Sequence, residues 1–199
     1  TSKGVQGVIK PDPKAFADAQ FISELNYDEV IEMAYYGAQV IHPKTIKPLQ
    51  NKKIPLYVRS FLQPDEKGTV INDLPSPLPV PCFIFKTNQI LVSISAEDFS
   101  FIAEENLSEI FSVFSRHAVK VNLMQNSAIS FSVCIDNDRF KIPALLNDLK
   151  KKFKVLYNDG LRLVTVRHYF PSTIEKLTEG KTILVEQLSR HTAQLVIRG

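Results

Sequence analysis

The sequence predicts a mixed α/β (α+β) chain whose larger, second part has the element order βαββαβ, the ferredoxin-like arrangement. Two kinds of periodicity lead to this prediction. Apolar residues alternate with polar ones over residues 119–123 and 129–135, as in strands with one buried face, and recur every three or four residues over two stretches, as in helices. The helical stretches contain Leu107, Ile110, Phe111 and Phe114, and then Ile142, Leu145, Leu146, Leu149 and Phe153.

The strands of this unit follow from the alternating pattern. Residues 83–95 form a first strand of mixed burial, 119–123 and 129–135 each have one apolar face, and a last strand begins at Val155. Acidic residues near the start of the first helix and Arg116 at its end suit the helix dipole. The sequence therefore predicts one sheet packed on two helices.

A second, shortened copy of the unit follows the first. The run LVSIS at Leu91 recurs as LVTVR at Leu163, and NSAISFSV around Ser127 recurs as LSRHTAQLVI around Ser189. The two landmarks are 36 positions apart in the first copy and 26 in the second. The ten missing residues are about what a three-turn helix needs at ~1.5 Å per residue. We therefore expect three strands without helices in the second copy.

The first part of the chain has its own helix and strand signals. Asn26 followed by Glu29 is similar to a capping box, and Gly37 is a typical helix end. Residues 54–58 alternate as a strand, and the segment 72–81 holds four of the twelve prolines, which favours an extended linker. The predicted divisions are 1–71, 72–81, 82–158 and 159–199.

Composition and charge argue against a membrane, secreted or nucleic-acid-binding protein. The chain has 44% hydrophobic and 23% charged residues, no apolar run of the length that a membrane span needs, and no visible secretory signal. The net charge is +3, and its densest basic run, residues 150–154, closes a predicted helix, so we expect neither a nucleic-acid nor a membrane partner. Cys82 and Cys134 lack ligand-like neighbours, which predicts buried thiols, no metal site and a cytoplasmic location.

Residues 26–71 resemble the closing segment of the catalytic domain of aspartokinases, which are amino-acid kinases. The similar features are YYGAQVIHPKTI at a helix end, the short strand IPLYVRS and the turn QPDEKGTVI. The run GVIKPDPK at 7–14 resembles the nucleotide loop of that family, and the tandem βαββαβ unit resembles its paired ACT domains, which bind amino acids. The glycine-rich phosphate-binding turn with which the family opens has no counterpart here. The resemblance therefore implies the C-terminal part of a larger enzyme with an amino-acid kinase fold.

The resemblance implies a nucleotide site at two places. The family holds the phosphates with a lysine in a Gly-Ala-Lys-Val motif, but this chain has Gln39, which brings no charge. Lys10 or Lys14 could supply that charge, whereas Asp12-Pro13 alone also fits an ordinary turn. His42 is interpreted as a structural turn residue before a helix. The implied cofactor-binding residues are Gly7, Lys10, Asp12, Pro13, Lys14 and Gln39.

The resemblance to paired ACT domains also implies an effector site. Backbone amides at a helix start would hold the effector carboxylate, and side-chain oxygens its ammonium. Lysine-responsive relatives place acidic residues at the positions of Asn122 and Ala128, both neutral here, so Glu97 and Asp98 would have to compensate a second cation. The implied effector-binding residues are Ser95, Glu97, Asp98, Ser100, Ala103, Asn122, Gln125, Asn126 and Ser127. The alternative is that these are turn and strand-end residues without a ligand.

The resemblance implies a parent enzyme that phosphorylates aspartate with ATP and Mg²⁺, for lysine, threonine and methionine synthesis. This part would sense an amino-acid effector of the lysine or threonine class and form a homodimer through its ACT domains. It would contain no catalytic residue, bind neither ATP nor Mg²⁺ alone, and be inactive alone. Two alternatives stay open: a non-catalytic amino-acid sensor with a relic kinase segment, and a dimerisation module without ligand.

Overall fold

The computed structural model describes residues 8–10, 20–38, 41–61, 65, 67–75, 81–98 and 101–199. These residues form two compact units. The first unit gathers the described residues up to Phe85 with Val164–Leu177 and Leu188–Ala193, and the second gathers Lys86–Leu163, Thr178–Gln187 and Gln194–Gly199. The predicted divisions follow the chain in sequence, whereas the compact units divide the last predicted segment, 159–199, between them.

The first unit contains a two-stranded antiparallel pair, a three-stranded sheet and two helices in the part before residue 75. In the larger sheet the strand order is β3-β5-β4, with β3 parallel and β4 antiparallel to β5. The elements are β1 (Val8–Lys10), β2 (Gln20–Ile22), β3 (Glu24–Asn26), α1 (Tyr27–Tyr35), α2 (Pro43–Asn51), β4 (Leu56–Val58) and β5 (Thr69–Asn72).

Helix α1 begins and ends as its sequence predicts. The Asn26 side chain accepts a hydrogen bond from the backbone N–H of Glu29 at 2.7 Å, which satisfies one of the open donors of the first turn. At the other end Ala38 N–H donates to the Met33 carbonyl and Gly37 N–H to the Ala34 carbonyl. This is a Schellman motif, and it needs the positive φ of 110° that Gly37 adopts.

Helix α2 begins at the His-Pro pair. The Nδ1 atom of His42 accepts a hydrogen bond from the backbone N–H of Lys44 at 3.1 Å, so the imidazole caps the helix. The prediction that His42 is a structural residue is confirmed.

The core of the first unit lies between α1, α2 and the strands. Tyr27, Val30, Ile46 and Ile71 are at most 1% exposed, and the Tyr27 hydroxyl donates to the Ile54 carbonyl. The cluster consists of Ile22, Leu25, Tyr27, Val30, Met33, Ile46, Ile71, Cys82 and Ile84.

The elements after residue 81 build one six-stranded sheet with the order β10-β11-β9-β6-β8-β7. Within it β9-β6-β8-β7, with α3 and α4, is the predicted ferredoxin-like βαββαβ unit. The mixed α/β fold class is confirmed. The elements are β6 (Cys82–Ser95), α3 (Glu104–Arg116), β7 (Val121–Asn126), β8 (Ser130–Asp136), α4 (Ile142–Leu149), β9 (Lys154–Arg167), α5 (Pro171–Thr178), β10 (Thr182–Leu188) and β11 (Thr192–Arg198).

The second copy does contain a helix, so the prediction of three strands without helices is wrong. Strand β9 is one continuous strand that ends the first copy and begins the second, and α5 follows it before β10 and β11. The connection before the helix has 3 residues instead of 8, and the helix has 8 instead of 13. The missing ten residues are therefore divided between a loop and a helix, which leaves room for a short helix.

The internal repeat is visible in two turns of the same geometry. Ser127 N–H donates to the Ser130 carbonyl at 2.8 Å, and Ser130 N–H donates to the Ser127 hydroxyl oxygen at 3.2 Å. Ser189 and Thr192 make the same pair of bonds at 2.8 and 3.2 Å between β10 and β11. The predicted correspondence of Ser127 with Ser189 is confirmed.

The second unit buries apolar residues on both faces of its sheet. One face packs on α3 and α4 around Val92, Ile110 and Leu145. On the other face, Leu91, Cys134 and Val196 belong to a separate buried cluster with residues of all six strands. Gln187 of β10 donates to the Met124 carbonyl of β7 at 2.6 Å, so the two edges of the sheet meet.

Candidate functional site

The implied nucleotide site lies almost wholly outside the described residues. Gly7, Asp12, Pro13, Lys14 and Gln39 are not described, and Lys10 is described only as the end of β1, paired with Gln20. Of the Gly-Ala-Gln-Val motif the structure describes Gly37 and Ala38, which form the Schellman motif at the end of α1. Among the described residues no three His, Cys, Asp or Glu side chains are grouped so that they could hold a metal ion.

Several residues of the implied effector site meet at one end of the sheet. Ile102 N–H donates to the Ala128 carbonyl at 3.0 Å, which joins the segment before α3 to the turn after β7. Ser95 lies opposite Ser130 across β6 and β8, and the Ser130 hydroxyl is 2.8 Å from that of Ser127. Ser95, Ala103 and Ser127 are thereby brought to one place.

The start of α3 at this place offers backbone donors. Its N-cap residue Ala103 is extended, with φ −88° and ψ 178°, and an alanine offers no side-chain acceptor to the first-turn amides. Glu97 and Asp98 are exposed in the turn after β6, and Gln125 and Asn126 are exposed on β7. Ser100 lies outside the described residues. The arrangement suits a small ligand with a carboxylate and polar substituents.

Asn122 does not join this group. Its Oδ1 atom accepts from the Lys86 ammonium at 2.7 Å, and its amide donates to Gln89 at 2.9 Å and to Asp136 at 3.0 Å. Because Asn122 is the second residue of β7 and Ser127 follows its end, the strand separates them by roughly 16 Å at ~3.3 Å per residue. A register shift between Val121 and Leu123 interrupts the pairing there and gives Asn122 this separate polar environment.

The same polar group contains a cysteine. The Cys134 thiol lies 3.6 Å from Oε1 of Gln89, and the residue is fully buried. Burial, and then the charge of Asp136, raise the pKa of Cys134 to about 12, although Lys86 opposes them. The predicted buried thiols are confirmed for Cys82 and Cys134, and the raised pKa of Cys134 disfavours the thiolate form that acts as a nucleophile.

A buried ion-pair cluster, here called the Glu29 cluster, consists of Glu29, Glu32, Arg167, His168 and Thr192. Arg167 binds Glu29 in a bidentate manner, with Nε 3.1 Å from Oε1 and Nη2 2.8 Å from Oε2. The His168 imidazole Nε2 lies 3.0 Å from the same Oε2, and Nη1 of Arg167 donates to the Thr192 hydroxyl at 2.8 Å. Glu32 stands at the rim, 3.5 Å from Arg167. All five residues belong to the first unit.

The Glu29 cluster shifts the titration of both main partners. Burial alone would raise the pKa of Glu29, but hydrogen bonds and charge from Arg167 and His168 outweigh it and lower that pKa. The hydrogen bond to Glu29 raises the pKa of Arg167. Sequence reasoning missed this cluster because 138 positions separate Glu29 from Arg167. One feature of the sequence could have indicated it: LVTVR ends in Arg167, whereas the corresponding LVSIS ends in Ser95.

A groove of about 490 Å³ between α4 and β9 was also not predicted. Its lining includes Ile90 and the charged residues Arg139, Lys150 and Asp159. The neighbouring basic residues Lys151 and Lys152 instead pair with Asp148 and Glu109, as expected of a solvated helix end. Hydrogen bonds from Lys151 and then His117 lower the pKa of Asp148 to about 2.

Comparison with known proteins agrees with the resemblance. Residues 2–60 match the family model of the amino acid kinase family. The chain is 31% identical to aspartokinase 3, chloroplastic, of Arabidopsis thaliana over 69% of the chain and 25% of that protein. It is 29% identical to lysine-sensitive aspartokinase 3 of Escherichia coli (strain K12) over 81% of the chain and 38% of that protein.

The structural similarity extends over the whole chain. The crystal structure of E. coli aspartokinase III in complex with aspartate and ADP, in its R-state, aligns with a TM-score of 0.82 at 25% identity. The alignment covers 100% of this chain and 48% of that one. The chain therefore spans about half the length of this solved relative, and less of the two curated relatives.

Proposed function

Because the chain belongs to the aspartokinase family, we propose that it is the C-terminal regulatory part of an aspartate kinase. The parent enzyme transfers the γ-phosphoryl group of ATP to the side-chain carboxylate of aspartate, and Mg²⁺ neutralises the phosphate charge. The contribution of this part is to bind an amino-acid effector of the lysine or threonine class and to shift the kinase between two states. Its location is cytoplasmic.

The observation that carries the sensing proposal is the contact between Ile102 and Ala128. It brings the first-turn amides of α3 next to the β7–β8 turn, where Ser127 and Ser130 present hydroxyl groups. The effector carboxylate accepts hydrogen bonds from the amides, and its ammonium donates to hydroxyl and carbonyl oxygens of the turn. Glu97 and Asp98 would favour an effector with a second cation if it extends toward them.

Nucleotide binding is proposed at the positions that the family resemblance implies. In the parent enzyme Gly7, Asp12 and Pro13 would contact the nucleotide, Lys10 or Lys14 would supply the charge, and Gln39 stands at the sequence position of the family lysine. We expect this part alone to hold neither ATP nor Mg²⁺ and to have no kinase activity, since phosphoryl transfer needs groups from the whole catalytic domain. The ACT-like units are proposed to form a homodimer, which would cover exposed apolar residues such as Phe101 and Ile129.

Gln39 favours a second candidate function, a non-catalytic amino-acid sensor with a relic kinase segment. Glutamine cannot supply the positive charge that a polyphosphate requires. An assay of the full-length protein for ADP release with aspartate separates the two. Aspartate-dependent turnover supports the enzyme, and effector binding without turnover supports the sensor.

The experiment that tests sensing is a thermal-shift screen with lysine, threonine, methionine and aspartate at millimolar concentrations. A ligand at about 100 times its Kd adds about 2.7 kcal/mol to the stability of the protein that binds it. We expect one amino acid to raise the melting temperature of the wild-type chain and to have little effect on Ser127→Ala.

The internal repeat provides a matched control. Ser189→Ala removes the same turn hydrogen bonds from the second copy, so it should lower stability similarly but retain the effector shift. Lys150→Gln tests whether the ligand instead binds the groove beside α4. No shift with any of the four amino acids, or an equal loss of shift in Ser127→Ala and Ser189→Ala, would contradict the proposed site.

A further inference from the structure

The two copies of the repeat carry different residues where the LVSIS and LVTVR runs end. In the first copy Ser95 lies opposite Ser130 beside the proposed effector site. By the correspondence of LVSIS with LVTVR and of Ser127 with Ser189, the equivalent residues of the second copy are Arg167 and Thr192. These two are in contact at 2.8 Å, which agrees with the correspondence. A small residue has thus been replaced by a bidentate carboxylate binder.

In the second copy, the carboxylate that Arg167 binds belongs to a residue of the same chain. Helix α1 presents Glu29, whose two oxygens accept from Arg167 and whose Oε2 atom also contacts His168. The Glu29 side chain is 10% exposed, and those of Arg167 and His168 are 13% and 19% exposed. The carboxylate is therefore enclosed in much the way that a bound ligand would be.

We propose that the second copy is an internal receptor for helix α1, in which the Glu29 carboxylate takes the place that the effector carboxylate takes in the first copy. The comparison with the effector rests on the proposed function, whereas the receptor role does not. Arg167 and His168 are then positioning residues for α1. Since α1 ends at Tyr35 and the Gly-Ala-Gln-Val motif begins two residues later at Gly37, the second copy then also sets where that motif begins.

The guanidinium group gives this contact a defined geometry. A fork of two parallel N–H donors matches a carboxylate in one orientation, whereas a lysine ammonium would hold it as a point charge. The Nη1 group of Arg167 donates to the Thr192 hydroxyl at 2.8 Å and lies 3.5 Å from Oε2 of Glu32, so the fork is also held on the side away from Glu29. Helix α1 is consequently held in rotation as well as in position, because Glu29 lies in its first turn.

The test is chemical rescue in the 199-residue chain, followed by hydrogen exchange of the peptides that cover α1. Glu29→Ala removes the tethered carboxylate and leaves Arg167 and His168 without it. We expect the α1 amides to exchange about tenfold faster, a factor that corresponds to about 1.4 kcal/mol. Added formate or acetate should restore slow exchange, and chloride at equal ionic strength should not.

Three variants keep the test decisive. Glu29→Ala/Arg167→Ser should show no rescue, because the receptor fork is gone and serine is the residue of the first copy. Glu32→Ala removes only the half-exposed carboxylate at 3.5 Å from Arg167, so its α1 amides should exchange more slowly than those of Glu29→Ala and should not respond to acetate. If Glu29→Ala does not fold, the near-isosteric Glu29→Gln gives the same reading of α1 exchange. Equal effects of acetate and chloride on Glu29→Ala, or unchanged α1 exchange in Glu29→Gln, would overturn the proposal. No effector is present, so failure here is distinct from failure of the sensing proposal.

Discussion

Replacement of Arg167 by methionine should be among the most destabilising single changes in the first unit. Arg167→Met keeps most of the apolar stem but removes both hydrogen bonds to Glu29 and the one to Thr192. Glu29 then remains buried with His168 as its partner in the cluster. Breaking a buried pair by removing one partner costs about 3–5 kcal/mol, because the other charge stays uncompensated. We take the lower end, about 3 kcal/mol, since His168 still contacts Glu29.

Urea unfolding followed by circular dichroism measures this loss. With a slope of about 2 kcal/mol per molar urea, 3 kcal/mol lowers the midpoint by about 1.5 M. Arg167→Lys should fall between the wild type and Arg167→Met, because it keeps the charge but not the fork. Arg198→Met is the matched control, because Arg198 is exposed and makes a hydrogen bond to Asn158 at 3.2 Å, so about 0.5 kcal/mol or less is expected. A loss below about 1 kcal/mol in Arg167→Met would refute the reasoning that the cluster is a tightly coupled buried pair.

Three further results are expected. The folded-state pKa of Glu29 is lowered, so the stabilisation by its charge is present above the unfolded pKa of about 4.3 and is lost as pH falls through the folded-state pKa. In acid titrations the difference in unfolding free energy between the wild type and Glu29→Gln should therefore decrease below about pH 4. A difference that increases there would contradict the lowered pKa. The pKa of Cys134 is raised to about 12 and Cys82 is buried, so a thiol reagent at pH 8 should label the native chain very slowly and label both cysteines at once in denaturant. Leu145→Ala should cost about 2–5 kcal/mol in urea unfolding, because Leu145 is 0% exposed, whereas Leu156→Ala, at a position 63% exposed, should cost about 0.5 kcal/mol or less.

The predicted elements that proved right are those whose signals are local. Asn26 and Gly37 mark the ends of α1 because a side-chain cap and a positive φ are needed at those positions. The apolar periodicities around Ile110 and Leu145 identify α3 and α4 because each helix buries one face. The turn at Ser127 and its counterpart at Ser189 follow from short motifs whose hydrogen bonds lie within four residues.

The parts that were missed depend on geometry that a local pattern does not contain. Helix α5 was not predicted because the deletion was assigned to a helix alone, whereas the loop before α5 also shortened. Asn122 was grouped with Ser127 by its place in the segment 122–128, but most of the extended strand β7 lies between the two residues, and a bulge beside Asn122 isolates it further. Arg167 contacts Glu29 only in the folded chain, across 138 positions. The sequence shows that the repeat has Arg167 where the first copy has Ser95, but it does not show which residue Arg167 binds.

The two copies illustrate how a shared framework can separate two tasks. Both copies retain the same turn, at Ser127 in the first and at Ser189 in the second. The backbone beside the end of the first strand therefore has the same geometry in both, but the side chain there is Ser95 in the first copy and Arg167 in the second. A carboxylate tethered even by a flexible linker acts at an effective concentration in the millimolar range, and Glu29 is fixed on a folded helix. A free amino acid at millimolar concentration would therefore gain little by competing for Arg167. The second copy is better suited to hold α1 than to sense a metabolite, which leaves sensing to the first copy, where serine leaves the place open.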